Sequence, residues 1–184
     1  MRLFYLIALC VFSCGVALAQ PVESKLQFDL SKIGMVVDGK QICEDVGRIQ
    51  DFPSKVMDQI IAAGPKSVPV LIAMIGDARV AKTREPIICY WGGMTIGDIA
   101  FCLLSDLFTE TNGSAIGGRT TMPGAGYEML GASGDLPAWE QLHQYIRKHG
   151  RAALQAKWQG LWEKYKDQMF WDPKGRCFKL RASQ

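Results

Sequence analysis

Between residues 96 and 107 the apolar side chains Ile96, Ile99, Ala100, Leu103, Leu104 and Leu107 recur at spacings of three and four. Only a helix gathers such a series onto one face, and a face that continuous has to be covered by other elements of the chain. Thr95 stands just ahead of the series and Asp98 three residues on. That is the pattern of a capping box, in which a hydroxyl takes the amide of the third helical residue and an acid reaches back to the cap. Asp98 therefore has a structural task before any catalytic one.

The remaining elements are read around this helix. The segment Asp51 to Ala63 places Val56, Ile60 and Ala63 on one face and stops at Gly64-Pro65. Ser67-Val68-Pro69 opens a second helix, since proline in a first turn sacrifices no hydrogen bond, and Val70, Leu71, Met74 and Ile75 follow before Gly76-Asp77. Two short helices so joined predict an antiparallel hairpin. The last third carries a stripe from Pro137 to Lys148 (Trp139, Leu142, Tyr145, Ile146) and a second from Gly150 to Phe170 (Leu154, Trp158, Leu161, Trp162, Tyr165, Met169), with a bend at Gly150. A turn and a short extended segment close the chain, pinned back by Trp171, Cys177 and Phe178. Residues 20–50 read as an arm, with Gly34 to Lys40 a short strand entering a turn. Thr109 to Gly134 is a loop rich in glycine and threonine, too long for a plain connector. The expected fold is mainly α: helical hairpins with a short N-terminal arm, a Gly-rich loop and C-terminal aromatic helices packed across the core.

Within residues 56–108, Val68-Pro69-Val70-Leu71-Ile72 leading to Gly76-Asp77, and Ile96-Gly97-Asp98-Ile99-Ala100 leading to Leu103-Leu104, resemble the paired helices of HEAT-like repeats. The resemblance implies a piece of α-solenoid about two helix pairs long, capped by the aromatic C-terminal helices. The chain as a whole, from its arm to Arg176-Cys177-Phe178, is similar to small exported bacterial proteins. That likeness implies a bacterial source and carries no activity.

Export is expected from the chain's own start. Arg2 precedes the apolar run Leu3 to Phe12, and Ala17-Leu18-Ala19 precedes the polar Gln20-Pro21. A charged start, a short apolar stretch and a small-residue cleavage site make residues 1–19 a signal peptide and residues 20–184 a single domain, periplasmic or secreted. The run is too short to cross a bilayer as a helix, and no later stretch is expected to be long and apolar enough. Outside the cytoplasm the four remaining cysteines, Cys43, Cys89, Cys102 and Cys177, can form one or two disulfides, with three pairings open.

Catalytic signatures are sparse. No C-x-x-C occurs and His143 and His149 lie apart from any cysteine pair, so neither metal nor cofactor is expected. Gly124-Ala125-Gly126 lacks the preceding strand and the third glycine of a dinucleotide turn. The two histidines, six residues apart, share no helix face, and no G-x-S-x-G turn is present, so no catalytic residue is assigned. Acids such as Asp98 keep a cell-envelope hydrolase as the alternative. The most suggestive local feature is Tyr90-Trp91-Gly92-Gly93-Met94-Thr95, which together with the loop from Arg119 to Gly124 predicts a groove lined by Tyr90, Trp91, Thr95, Asp98 and Arg119. Charge is uneven: Arg147 to Arg181 holds ten basic residues against three acids, and Gln20 to Ile146 holds ten against fifteen. Either the halves complement one another within the fold, or the basic C-terminal helix associates with an anionic surface. The expected role is a non-catalytic module that binds another protein or an envelope component, and not a nucleic acid.

Overall fold

The computed structural model describes residues 26–33, 36–37, 40–41, 55–81, 94–110, 119–131 and 137–181. Its helices are α1 (Lys55–Ala63), α2 (Ser67–Met74), α3 (Ile96–Leu107), α4 (Ala138–His149) and α5 (Arg151–Tyr165). Its strands pair as three short antiparallel ribbons: β1 (Val36–Val37) with β2 (Lys40–Gln41), β3 (Thr109–Glu110) with β4 (Arg119–Thr120), and β5 (Met169–Asp172) with β6 (Cys177–Leu180). The described chain is thus mainly helical with some strand.

The helix predicted from the apolar stripe is the hub, and it is covered further round than the stripe requires. Eleven of its twelve residues are buried, Asp106 alone being half-buried. Helix α3 packs against α2, against 3₁₀ turns at Leu30–Lys32 and Gly126–Leu130, and against β3 and β6, while α5 packs against both α2 and α4. A run of ring contacts stitches these elements together. Tyr127 meets Phe101 at 5.3 Å between centroids, Phe101 meets Trp158 at 6.4 Å, Trp158 meets Phe108 at 5.7 Å, Phe108 meets Phe178 at 5.3 Å and Phe178 meets Trp171 at 5.0 Å. Each such pair contributes about 1 kcal/mol beyond the burial of its area.

A buried helix start needs partners for its leading amides, and here each of them has one. Thr95 N–H donates to Asp98 Oδ2 at 2.9 Å, and Asp98 N–H donates to Thr95 Oγ1 at 3.1 Å, completing the capping box. The amides of Ile96 and Gly97 donate to the carbonyls of Arg79 and Asp77, each at 2.9 Å. The chain leaving α2 therefore lies antiparallel against the entry to α3, with Val80 bridged to Thr95. This approach depends on Gly97. A Cβ there falls inside contact distance of the Ile75 carbonyl oxygen, 2.8 Å from an Arg151 guanidinium nitrogen and 3.0 Å from the Asp77 carbonyl oxygen.

Gly64 ends α1 where the sequence places the stop, in the left-handed region (φ +55°), and one 3₁₀ turn, Gly64–Lys66, leads directly into α2. Other expectations are corrected. The stretch Lys55–Met74, 20 residues long with an 18-residue window of mean hydropathy 1.2, is long and apolar enough to cross a membrane by length and composition alone, contrary to the sequence reading. Its most apolar window is 44% buried within the fold, and Met57, Ile60, Val68, Leu71 and Ile72 belong to the core. Helix α5 ends at Tyr165, short of Phe170, because Met169 and Phe170 pair with Leu180 and Lys179 in the terminal ribbon. The Gly-rich region is no plain loop in its described part. It contributes β4 and the turn Gly126–Leu130, and buries Met122, Ala125 and Met129. The arm supplies the 3₁₀ turn at Leu30–Lys32, with Phe28, Leu30 and Ile33 in the core.

In the interior of an exposed helix a Gly→Ala change stabilises by roughly 1 kcal/mol. The backbone carbonyls facing Gly97 reverse that sign, and Gly97→Ala is expected to cost at least about 2 kcal/mol in urea unfolding.

Candidate functional site

Polar groups gather at the two ends of α3. At its N-terminal end the Asp98 carboxyl is 3% exposed and has both oxygens engaged: Oδ2 accepts the Thr95 amide, and Oδ1 accepts Arg151 Nη2 at 2.8 Å. Arg151 opens α5, directly after Gly150, whose φ of +82° ends α4 and starts the next helix. A cation at the positive end of a helix dipole is unfavourable unless a carboxylate answers it. His143, on α4, brings Nε2 to 3.8 Å from Asp98 Oδ2, and the rings of Trp139 and His143 meet nearly at right angles, 5.9 Å between centroids. Beside them Asp77 is held below the usual carboxylate range, first by hydrogen bonds from the Arg79 guanidinium, with Arg151 adding a small favourable field. Engaged in this way, Asp98 joins α3 to α5.

Beyond the C-terminal end of α3 lies a cavity of about 310 Å³ lined by Glu110, Arg119, Thr120, Thr121, Pro123, Lys179 and Leu180. Its walls are the β3–β4 ribbon and β6, tied by Thr121, whose hydroxyl lies 2.8 Å from the Phe108 carbonyl and 2.6 Å from that of Phe178. Lys179 Nζ is 2.5 Å from Glu110 Oε1 and 2.9 Å from Asp172 Oδ2. Hydrogen bonds to Glu110 and then to Asp172 push its pKa above the ordinary lysine value and hold it in its charged form. The same contact, with Lys179 as the leading cause, holds Asp172 below its usual value. Glu110 stands directly opposite Arg119 in the β3–β4 register, yet its carboxylate goes to Lys179. Arg119 is exposed, and among the described residues no carboxylate lies within ion-pairing distance of it.

The structure therefore separates the residues expected to form one groove. Thr95 and Asp98 sit together at the entry of α3, while Arg119 sits past its exit, about 18 Å away at the rise of an α-helix. Tyr90 and Trp91 lie outside the described residues, as do Cys43 and Cys89. Cys102 is a buried free thiol whose sulfur is 3.6 Å from the Tyr127 hydroxyl, and burial raises its pKa well above the usual thiol value. It takes no part in the expected disulfides, because its position on the fully covered α3 turns it toward a phenol. Cys177 is buried on β6 and is not bonded to Cys102.

Sequence reasoning missed Arg151, Glu110 and Lys179, while Thr121 lay within the loop it expected at the groove. Arg151 carried a usable signal, since a basic residue immediately after a helix-separating glycine calls for an acid elsewhere. Glu110 and Lys179 carried none, because they lie 69 residues apart. Comparison with family models, with curated proteins and with solved structures finds no match for this chain.

Removing one member of a buried ion pair leaves the other charged and uncompensated. Asp98→Asn is expected to cost roughly 3 kcal/mol, more than the ~1 kcal/mol of a helix cap alone. A double-mutant cycle with Arg151→Met, read by chemical denaturation, checks this: the pair should cost clearly less than the sum of the single changes.

Proposed function

We propose that this chain is an exported, non-catalytic binding module for another protein or an envelope component, and that the cavity beside Arg119 is its contact site. The reading rests on one observation. Every other charge at that cavity is compensated within the fold, whereas the Arg119 guanidinium stands exposed at its wall with no acid of the described chain to meet it. A pre-organised concavity with an uncommitted donor is suited to recognition. The groups that catalysis would draw on are engaged elsewhere: Asp98 in a cap and an ion pair, Lys179 between two carboxylates, and Cys102 as a buried neutral thiol.

The HEAT-like architecture belongs to the same proposal. It is supported by the packing of α2 on α3, and by the Gly76-Asp77 and Gly97-Asp98 steps that carry the resemblance meeting at one backbone seam. Periplasmic or secreted placement rests on the charged, apolar and small-residue succession of residues 1–19. The rival envelope hydrolase has one observation on its side, the approach of His143 to Asp98 at 3.8 Å.

Affinity capture from an envelope fraction with the chain from Gln20 onward separates the readings. The parent chain and a destabilised but folded Asp98→Asn variant should retain the same partner, and Arg119→Glu should lose it with Tm unchanged. Capture indifferent to Arg119, or turnover of envelope polymer that disappears in Asp98→Asn, overturns the proposal.

A further inference from the structure

We infer that the cavity beside Arg119 recognises a singly charged carboxylate, the inference resting on the reading of this cavity as the contact site. The geometry supplies three constraints. The first is the free donor: a guanidinium presents a planar fork that matches the two oxygens of a carboxylate, and Arg119 lies at the wall with that fork unclaimed by any described acid. The second is the local field. Lys179 is already shared by Glu110 and Asp172, so its charge is neutralised in place, and those two carboxylates repel any further anion. A doubly charged phosphate meets that repulsion twice over with one uncommitted cation to offset it, whereas a carboxylate meets it once. The third is size. At about 310 Å³ the cavity lies at the small end of ligand sites, enough for one amino-acid-sized group and too little for a sugar chain.

The lining is mixed. Thr120 and Thr121 add hydroxyls, and Pro123 and Leu180 add apolar surface to the same cavity. A carboxylate seated on Arg119 thus has apolar lining available to its carbon chain. An acid on a short apolar stem fits both halves, and two sources present it: the free C-terminus of an extended peptide, and a small free carboxylic acid.

Titrations of the chain from Gln20 onward, followed by the amide resonances of Arg119 to Thr121 and of Lys179 to Leu180, test this. The probes are propionate, a short peptide ending in leucine with a free carboxylate, the same peptide as its C-terminal amide, and inorganic phosphate. The inference expects saturable shifts from the acid forms, at least about tenfold weaker binding of the amide form, and a similar loss in Arg119→Gln with partial recovery in Arg119→Lys. Propionate as effective as the acid peptide assigns the site to small acids, and a clear advantage for the peptide assigns it to chain ends; both support the inference. Acid and amide peptides binding alike, or phosphate binding more tightly than the carboxylates, overturns the carboxylate assignment and leaves the contact-site reading standing. No shift at these amides with any probe, alongside partner capture that ignores Arg119, overturns both.

Discussion

A helix covered on nearly every side cannot leave the amides of its first turn to water. Each unsatisfied donor at that depth costs on the order of 1–3 kcal/mol, so the entry to α3 has to be completed by the chain around it. The cap residue and Asp98 serve two of those amides, and the carbonyls of Asp77 and Arg79 serve the other two. Much of the molecule follows from that requirement. The exit from α2 has to lie against the entry of α3, position 97 has to be glycine for the backbones to meet, and the acid that closes the cap has to be buried. A buried acid in turn needs a cation, which α5 delivers from its first residue.

The acidic body and basic tail acquire a physical meaning at this point. Asp98 with Arg151, and Glu110 with Lys179, each join an acid of the body to a base of the tail, one pair at either end of α3. The two joints differ in character. Glu110 and Lys179 are 42% and 27% exposed, where water screens an ion pair, while Asp98 and Arg151 are 3% and 16% exposed. Burial of Phe101, Phe108, Trp158 and Phe178, at roughly 2 kcal/mol or more each, supplies the larger share of stability. The ion pairs fix which way the tail lies across the body. Charge complementarity within the fold thus absorbs part of the asymmetry, and among the described residues Arg119 is a cation of the body that this pairing passes over.

What could be read in the sequence was whatever is local. The capping box is a contact between residues three apart, and Thr95 and Asp98 announce it. The stripe of α3 marks its core face, and the break at Gly150 falls where α4 hands over to α5. The stripe did not disclose that Gly97, Asp98, Phe101, Cys102 and Ser105 are buried as well, since period reports one face and says nothing of what covers the other. The end of α5 was hidden for a related reason. Met169 stands four residues beyond Tyr165 and is buried too, so helical spacing runs unbroken into a strand. Met122, Ala125 and Met129 gave no period because they pack from a turn. Of the expected groove, Thr95 and Asp98 stand together, and Arg119 stands at a different concavity, which keeps Thr120, Thr121 and Pro123 of the expected loop and takes its other members from β3 and β6. Sequence neighbours supply one wall of such a site and say nothing of the strands that pair across from it.

The central claim is that α3 is the hub on which the other elements depend. Native-state hydrogen exchange resolved residue by residue tests it most directly. The account predicts that the amides from Phe101 to Leu107 open only with global unfolding and are the slowest in the molecule, with those of α4 and the β1–β2 ribbon exchanging through smaller openings. Exchange of the α3 amides at rates matching α4, or faster than those of α5, would contradict it.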